Sequence, residues 1–287
     1  MAVYVTSDAH GPVRALDEVL DQISLASDDV LYVLGDLIDR GPDPLGVILL
    51  VRSLPQARVL MGNHEQLMLH ATAHTGAPRD GEFDLSGLDN ITFTDWFDWM
   101  NNGGNATATQ LCQLREDEYD EVISWASGLP LYDVAVAGGH TFALVHAGID
   151  AGFVSEWREA HPEADPCEPA ALLDLLGCQP ADVLLWMRDG LAFPTRLVDE
   201  GGRGPVVVAG HTPSPLLAGL AGLSEEQCMT SERKGKVVVY GACEATGNRV
   251  DRIDIDCAAA SGHGMGRVGV LRLDDLACFY ADIREGE

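Results

Sequence analysis

The sequence predicts an α/β fold in which two stacked, mixed β-sheets are flanked by helices. In the first third of the chain, short β-branched segments alternate with amphipathic segments, a pattern typical of parallel strands joined by right-handed helical crossovers. The second half contains many short strand patterns without long helical patterns between them, which indicates a second, mixed or antiparallel sheet. With 287 residues, of which 46% are hydrophobic, the chain has enough apolar material for one large domain.

The first third of the chain follows a regular β-α-β-α-β-α order. Strands are predicted at residues 2–6, 30–34 and 57–61. Helices are predicted where apolar residues recur at helical spacing, at residues 12–23, 45–54 and 65–74. Because parallel strands end at the same edge of a sheet, the residues that follow these three strands should lie close together.

A helical insertion is predicted after the third strand. Residues 75–90 are polar and glycine-rich and predict a surface loop. Residues 92–114, interrupted by a Gly-Gly pair, predict a helix-turn-helix, and residues 117–127 predict another helix. We therefore expect a single domain over residues 1–287, with a helical lid insertion at about residues 75–128.

The remaining strand patterns belong to the second half of the chain. They are predicted at residues 131–137, 141–146, 205–209, 237–240, 249–256, 268–273 and 278–283. A Gly-Gly pair separates the first two, which predicts a hairpin. These strands are the expected members of the second sheet.

The charge of the chain restricts its partners. The net charge is −27, and the only lysines are Lys234 and Lys236. Such a surface repels nucleic acid and anionic membranes, so we expect neither as a partner. A phosphate-binding site in this chain would need local positive charge, from metal ions or from buried arginine.

Cysteine usage and the N-terminal residues predict the compartment. The seven cysteines form no Cys-x-x-Cys pair and are odd in number, which argues against a disulfide framework and a zinc-thiolate site. Residues 1–7 lack the pattern of a signal peptide, and no run of about 18 apolar residues is present. We expect a cytoplasmic protein.

Polar side chains recur where predicted strands end. Asp8 and His10 follow the first strand, GDLIDRG (residues 35–41) follows the second, and GNHE (residues 62–65) follows the third. HAG and GHT follow two later strands. The candidate ligands are two carboxylates, three imidazoles and one amide: Asp8, Asp36, His10, His146, His211 and Asn63. This set suits a pair of divalent ions, and Asp36 is the best-placed bridging carboxylate.

Five motifs in this order, DxHG, GDxxDRG, GNHE, HAG and GHT, resemble the signature of the calcineurin-like metallophosphoesterases. The resemblance extends from Asp8 to His211 and implies the four-layer sandwich of that superfamily. It implies that Asp8, His10 and Asp36 hold one metal ion. The second ion would be held by Asp36 together with three further ligands, Asn63, His146 and His211. Mn²⁺ is the expected metal, while Fe and Zn suit the same ligands.

The resemblance also implies roles in catalysis. His64 would be the general acid that protonates the leaving oxygen, with Asp39 orienting its imidazole. Arg40 would grip phosphate oxygens, together with Asn63. Residues 185–188 (LWMR) resemble an element whose arginine contacts phosphate, which makes Arg188 the second clamp.

Three features resemble the bacterial-type PPP serine/threonine protein phosphatases in particular: the full GDxxDRG motif, the NGG segment within residues 96–107 and the LWMR element of residues 185–188. We therefore expect a metal-dependent phosphomonoesterase, namely a serine/threonine protein phosphatase that uses a dinuclear metal site and metal-activated water. Its substrate would be a phosphorylated protein or a small phosphoester. The alternative is a dinucleoside polyphosphate hydrolase of the diadenosine tetraphosphate type, which shares the metal motifs. A non-catalytic metal-binding scaffold is a third possibility, but every expected ligand and His64 are present.

Overall fold

The computed structural model describes residues 1–287. Its strands are β1 (Val3–Thr6), β2 (Val30–Val33), β3 (Ala57–Val59), β4 (Tyr132–Ala137), β5 (His140–Val145), β6 (Val206–Ala209), β7 (Val238–Tyr240), β8 (Arg252–Asp254), β9 (Arg267–Arg272) and β10 (Ala277–Asp282). Its α-helices are α1 (Val13–Ile23), α2 (Pro44–Arg52), α3 (Asn63–Thr72), α4 (Asn90–Asn101), α5 (Asn105–Leu111), α6 (Glu116–Ser127), α7 (Ala151–Ala160), α8 (Pro169–Gly177), α9 (Ala181–Trp186), α10 (Leu217–Leu220) and α11 (Glu225–Cys228).

The strands form two five-stranded mixed sheets, which confirms the predicted α/β fold class. The first sheet has the order β10-β9-β1-β2-β3, with β1, β2 and β3 parallel as predicted. The last two strands were expected in the second sheet, but β9 pairs antiparallel with the free side of β1. The residue pattern of a strand does not show which strand it pairs with. In the structure, β9 satisfies the backbone groups on the side of β1 that β2 leaves open.

The second sheet has the order β4-β5-β6-β8-β7, in which β5, β6 and β8 are parallel. The expectation that no long helices separate the later strands is wrong, because α7, α8 and α9 lie between β5 and β6. Parallel neighbours cannot be joined by a tight turn and require such a crossover. The buried faces of α7 and α8 cover the outer side of this sheet with Trp157, Leu172, Leu175 and Leu176.

The two sheets pack face to face through a shared apolar layer. It combines Val5 and Leu271 of the first sheet with Phe142, Leu144 and Ile253 of the second. On the outer side of the first sheet, α1 and α2 pack against Val33 and Val268. The result is four layers, helix-sheet-sheet-helix, in which both sheets are covered on both faces.

The helices α4, α5 and α6 fall within the predicted insertion and pack onto the core of α1 and α2. Their buried contributions include Trp99, Leu111, Tyr119 and Val122. The longest helices of the chain, α4 and α6, have 12 residues, so none is long and apolar enough to cross a bilayer.

Candidate active site

The predicted site residues lie together at the carboxyl ends of strands from both sheets. Asp8 follows β1, Asp36 follows β2, Asn63 opens α3 just after β3, and His146 and His211 follow β5 and β6. All five side chains are buried. The two stacked sheets therefore direct their strand ends toward one edge, where the motif residues meet.

The backbone at this edge is unusual. Six non-glycine residues of the motifs have a left-handed conformation: Asp8 (φ 52°), His10 (φ 53°), Asp36 (φ 54°), Asp39 (φ 69°), Arg40 (φ 66°) and His211 (φ 66°). Such a conformation costs roughly 1–3 kcal/mol at each residue and persists only where the surroundings enforce it. The packing of the rest of the fold therefore compensates this cost and holds the loops so that their polar side chains converge.

Glu65 is part of what enforces these loops. Its carboxylate accepts hydrogen bonds from the backbone N–H groups of Asp36 (2.8 Å), Leu37 (2.9 Å) and Gly62 (2.9 Å). It therefore ties the loop after β2 to the start of α3. Gly62 allows this close approach, because a β-carbon there would collide with Asp36 Oδ1. Glu65 was not predicted as a site residue, although a Glu in the first turn of a helix is a recognisable capping signal.

Two histidine tautomers are fixed by backbone carbonyls. His146 Nδ1 lies 2.6 Å from Leu34 O, and His10 Nδ1 lies 2.8 Å from Ile38 O. A carbonyl only accepts, so each Nδ1 carries a proton, and in the neutral imidazole Nε2 then presents a lone pair.

Those lone pairs face the two oxygens of Asp36. His146 Nε2 lies 3.5 Å from Oδ1, and His10 Nε2 lies 3.6 Å from Oδ2. When Asp36 is ionised and the imidazoles are neutral, no proton lies between the two atoms of either pair. Acceptor atoms that converge in this way fit a cation on each side of the carboxylate.

Two further ligand candidates, Asn63 and His211, lie on the side of Asp36 that faces His146. Asn63 Oδ1 is 2.8 Å from both His146 Nε2 and His211 Nδ1. His211 Nε2 is buried without a partner. On the other side, Asp8 Oδ2 accepts a hydrogen bond from the His211 backbone N–H (2.9 Å), which joins the loops after β1 and β6.

The electrostatics of this pocket also fit bound cations. Burial raises the pKa of Asp36 well above its ordinary value, and the negative charges of Asp8 and Glu65 raise it further. Burial likewise lowers the pKa of His10, as do the neighbouring His64 and Arg40. Divalent ions would compensate the crowded carboxylates and would bind neutral imidazole, so the residues present suit them.

His64 and Asp39 form a buried pair. His64 Nδ1 lies 2.7 Å from Asp39 Oδ2, while Nε2 has no partner and lies 3.9 Å from Asp36 Oδ2. Burial raises the pKa of Asp39 to about 7, although hydrogen bonds from Thr107 and Trp99 oppose the rise. The imidazole thus has one nitrogen anchored and the other pointing toward the ligand cluster.

Two arginines flank the cluster. Arg40 Nη1 lies 3.1 Å from His10 Nε2, and its Nε donates to Asn102 O (3.4 Å). On the other side, Arg188 Nη2 donates to the His211 carbonyl (3.1 Å). Both guanidinium groups therefore reach the ligand residues, one from each of the two predicted metal positions.

The insertion contributes residues that were not predicted for the site. Trp99 was expected to pack the helices against the core, and it does so, but its indole N–H also donates to Asp39. Thr107 donates to the same carboxylate. Neither role has a signal in the sequence, because both depend on how α4 and α5 dock beside the loop after β2.

A solved structure has the same overall arrangement. The crystal structure described as that of a "putative diadenosine tetraphosphatase" matches with a TM-score of 0.50 over 99% of this chain and 94% of that chain, at 18% sequence identity. At this identity the likeness shows the fold alone.

Curated relatives share more of the sequence. This chain is 34% identical over 206 residues to the symmetrical bis(5'-nucleosyl)-tetraphosphatase of Aromatoleum aromaticum, covering 69% of this chain and 63% of the relative. It is 39% identical over 153 residues to the protein of the same name from Pectobacterium carotovorum, covering 52% of this chain and 44% of the relative. The chain therefore spans about half to two thirds of the length of these relatives.

These relatives overturn the expected function. The prediction of a serine/threonine protein phosphatase is wrong, because the curated relatives at 30–39% identity are named for the hydrolysis of dinucleoside tetraphosphates. The GDxxDRG motif that favoured the prediction contains the candidate bridging carboxylate Asp36 and the candidate clamp Arg40. Such groups would act on a phosphoryl group whether it belongs to an ester or an anhydride, so they could not discriminate between the two substrates.

The family itself is established over most of the chain. Residues 1–241 match the family described as calcineurin-like phosphoesterase. The matched region includes all five motifs and both sheets except for strands β8, β9 and β10. This match shows that the chain belongs to the calcineurin-like phosphoesterase family, a family of metal-dependent hydrolases, and the two-sheet architecture and the clustered candidate ligands agree with it.

Proposed function

We propose that this chain hydrolyses dinucleoside tetraphosphates symmetrically, at the central anhydride, and so releases two nucleoside diphosphates. The observation that carries the choice of substrate is the shared name of the curated relatives. The geometry supports the chemistry, since acceptor atoms of His10, Asp36 and His146 converge where cations would compensate them.

Six residues supply the proposed metal ligands. Asp8, His10 and Asp36 would hold one divalent ion, and Asp36 would share the other with Asn63, His146 and His211. When bound, the two ions lower the pKa of a water and polarise the phosphoryl oxygens. Mn²⁺ remains the expected metal, and this mixture of oxygen and imidazole donors also accepts Fe or Zn.

Arg40 and Arg188 would bind the non-bridging oxygens of the phosphate chain. A tetraphosphate carries several negative charges, and a protein with a net charge of −27 repels it at long range. Guanidinium groups at the mouth of the site give local, bidentate attraction where the overall field is unfavourable. The hydrogen bond from Arg188 to the His211 carbonyl would hold that side chain in place before the substrate binds.

His64 would donate the proton that the departing oxygen takes up. Its Nε2 is buried and has no partner, and Asp39 anchors Nδ1. In an anhydride the departing oxygen belongs to a nucleoside diphosphate, which is a weaker base than an alkoxide. The proton from His64 should therefore contribute less with this substrate than with an alkyl phosphoester.

We also propose that residues 1–287 act as one domain, with residues 75–128 as a helical insertion that covers Asp39. Trp99 and Thr107 of this segment are buried against the site, and Asn102 O accepts from Arg40. The insertion would then hold residues of the catalytic site in place as well as pack against the core.

The test is a product analysis on metal-depleted protein to which Mn²⁺ is returned. Diadenosine tetraphosphate should yield ADP alone, with a phosphoserine peptide in a parallel reaction as the comparison substrate. Release of AMP and ATP would contradict the symmetrical cleavage. A faster reaction with the peptide would contradict the substrate class, and activity that persists in chelator would contradict the metal requirement.

A further inference from the structure

Asp39 lies at the centre of a hydrogen-bond network that reaches beyond His64. Its carboxylate accepts from His64 Nδ1 at Oδ2 (2.7 Å) and from Thr107 Oγ1 at Oδ1 (2.5 Å). Trp99 Nε1 lies between the two oxygens, at 3.1 Å from Oδ1 and 3.0 Å from Oδ2. Asp39, Trp99 and Thr107 are each 0% exposed.

The network fixes the carboxylate in one orientation. The Asp39 backbone N–H donates to Thr107 Oγ1 (3.0 Å), so the hydroxyl accepts from the main chain and donates to the side chain of the same residue. With one donor on each oxygen and a third between them, rotation of the carboxylate would break at least one bond. A buried donor left without its acceptor costs free energy, so the observed orientation is strongly preferred.

The donors come from the helical insertion and not from the sheets. Trp99 lies in the last turn of α4, and Thr107 lies in the first turn of α5. The short link between these helices contains Gly103, whose carbonyl accepts from the Arg40 backbone N–H (3.1 Å). The insertion therefore holds both the carboxylate and the backbone of the loop that carries Arg40.

We propose that Trp99 and Thr107 are positioning residues for catalysis, which hold Asp39 so that His64 keeps its proton on Nδ1 and presents Nε2 to the reacting phosphate. This inference rests on the proposed function for the role of His64 in the reaction. Its structural part, the control of the His64 tautomer by two residues of the insertion, concerns this chain whatever its substrate is.

The hydroxyl of Thr107 can be removed with little change in shape. Thr107→Val keeps the volume but removes one donor to the carboxylate and the acceptor of the Asp39 N–H, whereas Thr107→Ser keeps the hydroxyl. Thr72→Val is the matched control, because Thr72 is also buried beside α4 and its hydroxyl donates to Met68 O (2.8 Å) without contacting Asp39. Trp99→Phe removes the indole N–H but also shrinks a core residue.

The first measurement is imidazole ¹⁵N NMR on the full-length, metal-free protein, with His64→Asn used to assign the His64 signals among the nine histidines. The wild type and Thr72→Val should show His64 protonated on Nδ1. Thr107→Val should show a mixture of tautomers, and Thr107→Ser should recover the single form. A wild-type His64 protonated on Nε2, or identical His64 signals in all four proteins, would overturn the inference.

The second measurement is steady-state kinetics on phenyl phosphate and on diadenosine tetraphosphate with returned Mn²⁺. Thr107→Val should lower kcat about tenfold on phenyl phosphate, and less on the dinucleotide, whose leaving group is a weaker base. KM should change less than about twofold, since positioning of an acid acts on the chemical step. Thr107→Ser should recover most of the loss. Equal losses in Thr107→Val and Thr72→Val would show a general packing effect and overturn the catalytic part.

The two measurements separate failure of this inference from failure of the proposed function. A wild-type protein that does not cleave the dinucleotide would contradict the proposed substrate, and the NMR comparison would still decide the tautomer. If Trp99→Phe does not fold, the threonine series still decides both parts.

Discussion

Asp36 Oδ1 lies 3.5 Å from His146 Nε2, and both atoms belong to buried side chains. His146 Nδ1 donates to Leu34 O, so in the neutral imidazole Nε2 turns a lone pair toward the ionised carboxylate. Two buried lone pairs at this separation are repulsive unless a cation lies between them. The relationship is therefore the clearest structural sign of a metal position in this chain.

Replacing the bridging carboxylate should disrupt both metal positions. In Asp36→Asn one oxygen becomes an amide and the shared negative charge is lost, so we expect metal content to fall below one ion per chain. Turnover of diadenosine tetraphosphate should fall by at least about a hundredfold. Elemental analysis and kinetics check this, and a mutant with two ions and full activity would refute the shared-ligand arrangement.

Metal binding should stabilise the fold. Buried Asp8 and Asp36 repel each other in the metal-free chain, and the pKa of Asp36 is raised by burial and then by that repulsion. Returned Mn²⁺ at about 100 times its dissociation constant should stabilise the protein by roughly 2.7 kcal/mol. Thermal unfolding with and without chelator measures the effect. The difference should vanish in Asp36→Asn, and its persistence there would locate the stabilising ion elsewhere.

The contribution of His64 should depend on the leaving group. His64→Asn should lower the rate with phenyl phosphate by roughly 100-fold or more, because a basic phenoxide needs a proton. The loss should be smaller with p-nitrophenyl phosphate and with diadenosine tetraphosphate, whose leaving groups are weaker bases. The three kcat values check this, and metal content should stay near that of the wild type. Equal losses on all three substrates would argue against proton donation.

Glu65 should be a determinant of stability. In Glu65→Gln an amide NH₂ would replace one oxygen that now accepts backbone N–H bonds, so a buried donor would face a donor. We expect the free energy of unfolding to fall by roughly 2–3 kcal/mol. Denaturant unfolding of the metal-free protein measures this without interference from bound ions. Glu118→Gln is a suitable control, because Glu118 is a more exposed helix-capping carboxylate. A similar loss of unfolding free energy in Glu65→Gln and Glu118→Gln would show that Glu65 stabilises the fold no more than an exposed capping carboxylate does.

Arg188 should contribute to substrate binding. Arg188→Lys keeps the charge but loses the planar guanidinium, and we expect kcat/KM to fall by roughly 10- to 100-fold with diadenosine tetraphosphate. Metal content should not change. Arg203→Lys is the matched control, since the side chain of Arg203 is 76% exposed and pairs with Asp165. Equal kinetics for the two variants would exclude Arg188 from the phosphate site.

The motif residues were predictable because each follows a strand. Asp8, Asp36 and Asn63 come after consecutive parallel strands, and parallel strands must end at one edge. His146 and His211 were candidates for the same reason, but no local pattern shows that their sheet stacks with its strand ends at the same edge. The pairing of β9 with β1 was not predicted for a related reason, because the residue pattern of a strand does not show which strand it pairs with.

The substrate was the largest error. The proposed clamp Arg40 and the proposed acid His64 would act on any phosphoryl group, so the motifs that contain them predict the reaction and not the molecule that undergoes it. The sequence expectation favoured an ester, and the curated relatives favour an anhydride.

By itself, the sequence determined the α/β class, the candidate set of acidic, amide and imidazole ligands, and the need for local positive charge at any phosphate site in a chain of net charge −27. These properties depend on periodicity and residue type, which are local. Only the tertiary structure decided that Glu65 ties two loops together and that Trp99 and Thr107 hold Asp39. Those contacts join segments up to 68 residues apart, and their geometry comes from how the helices dock on the sheets.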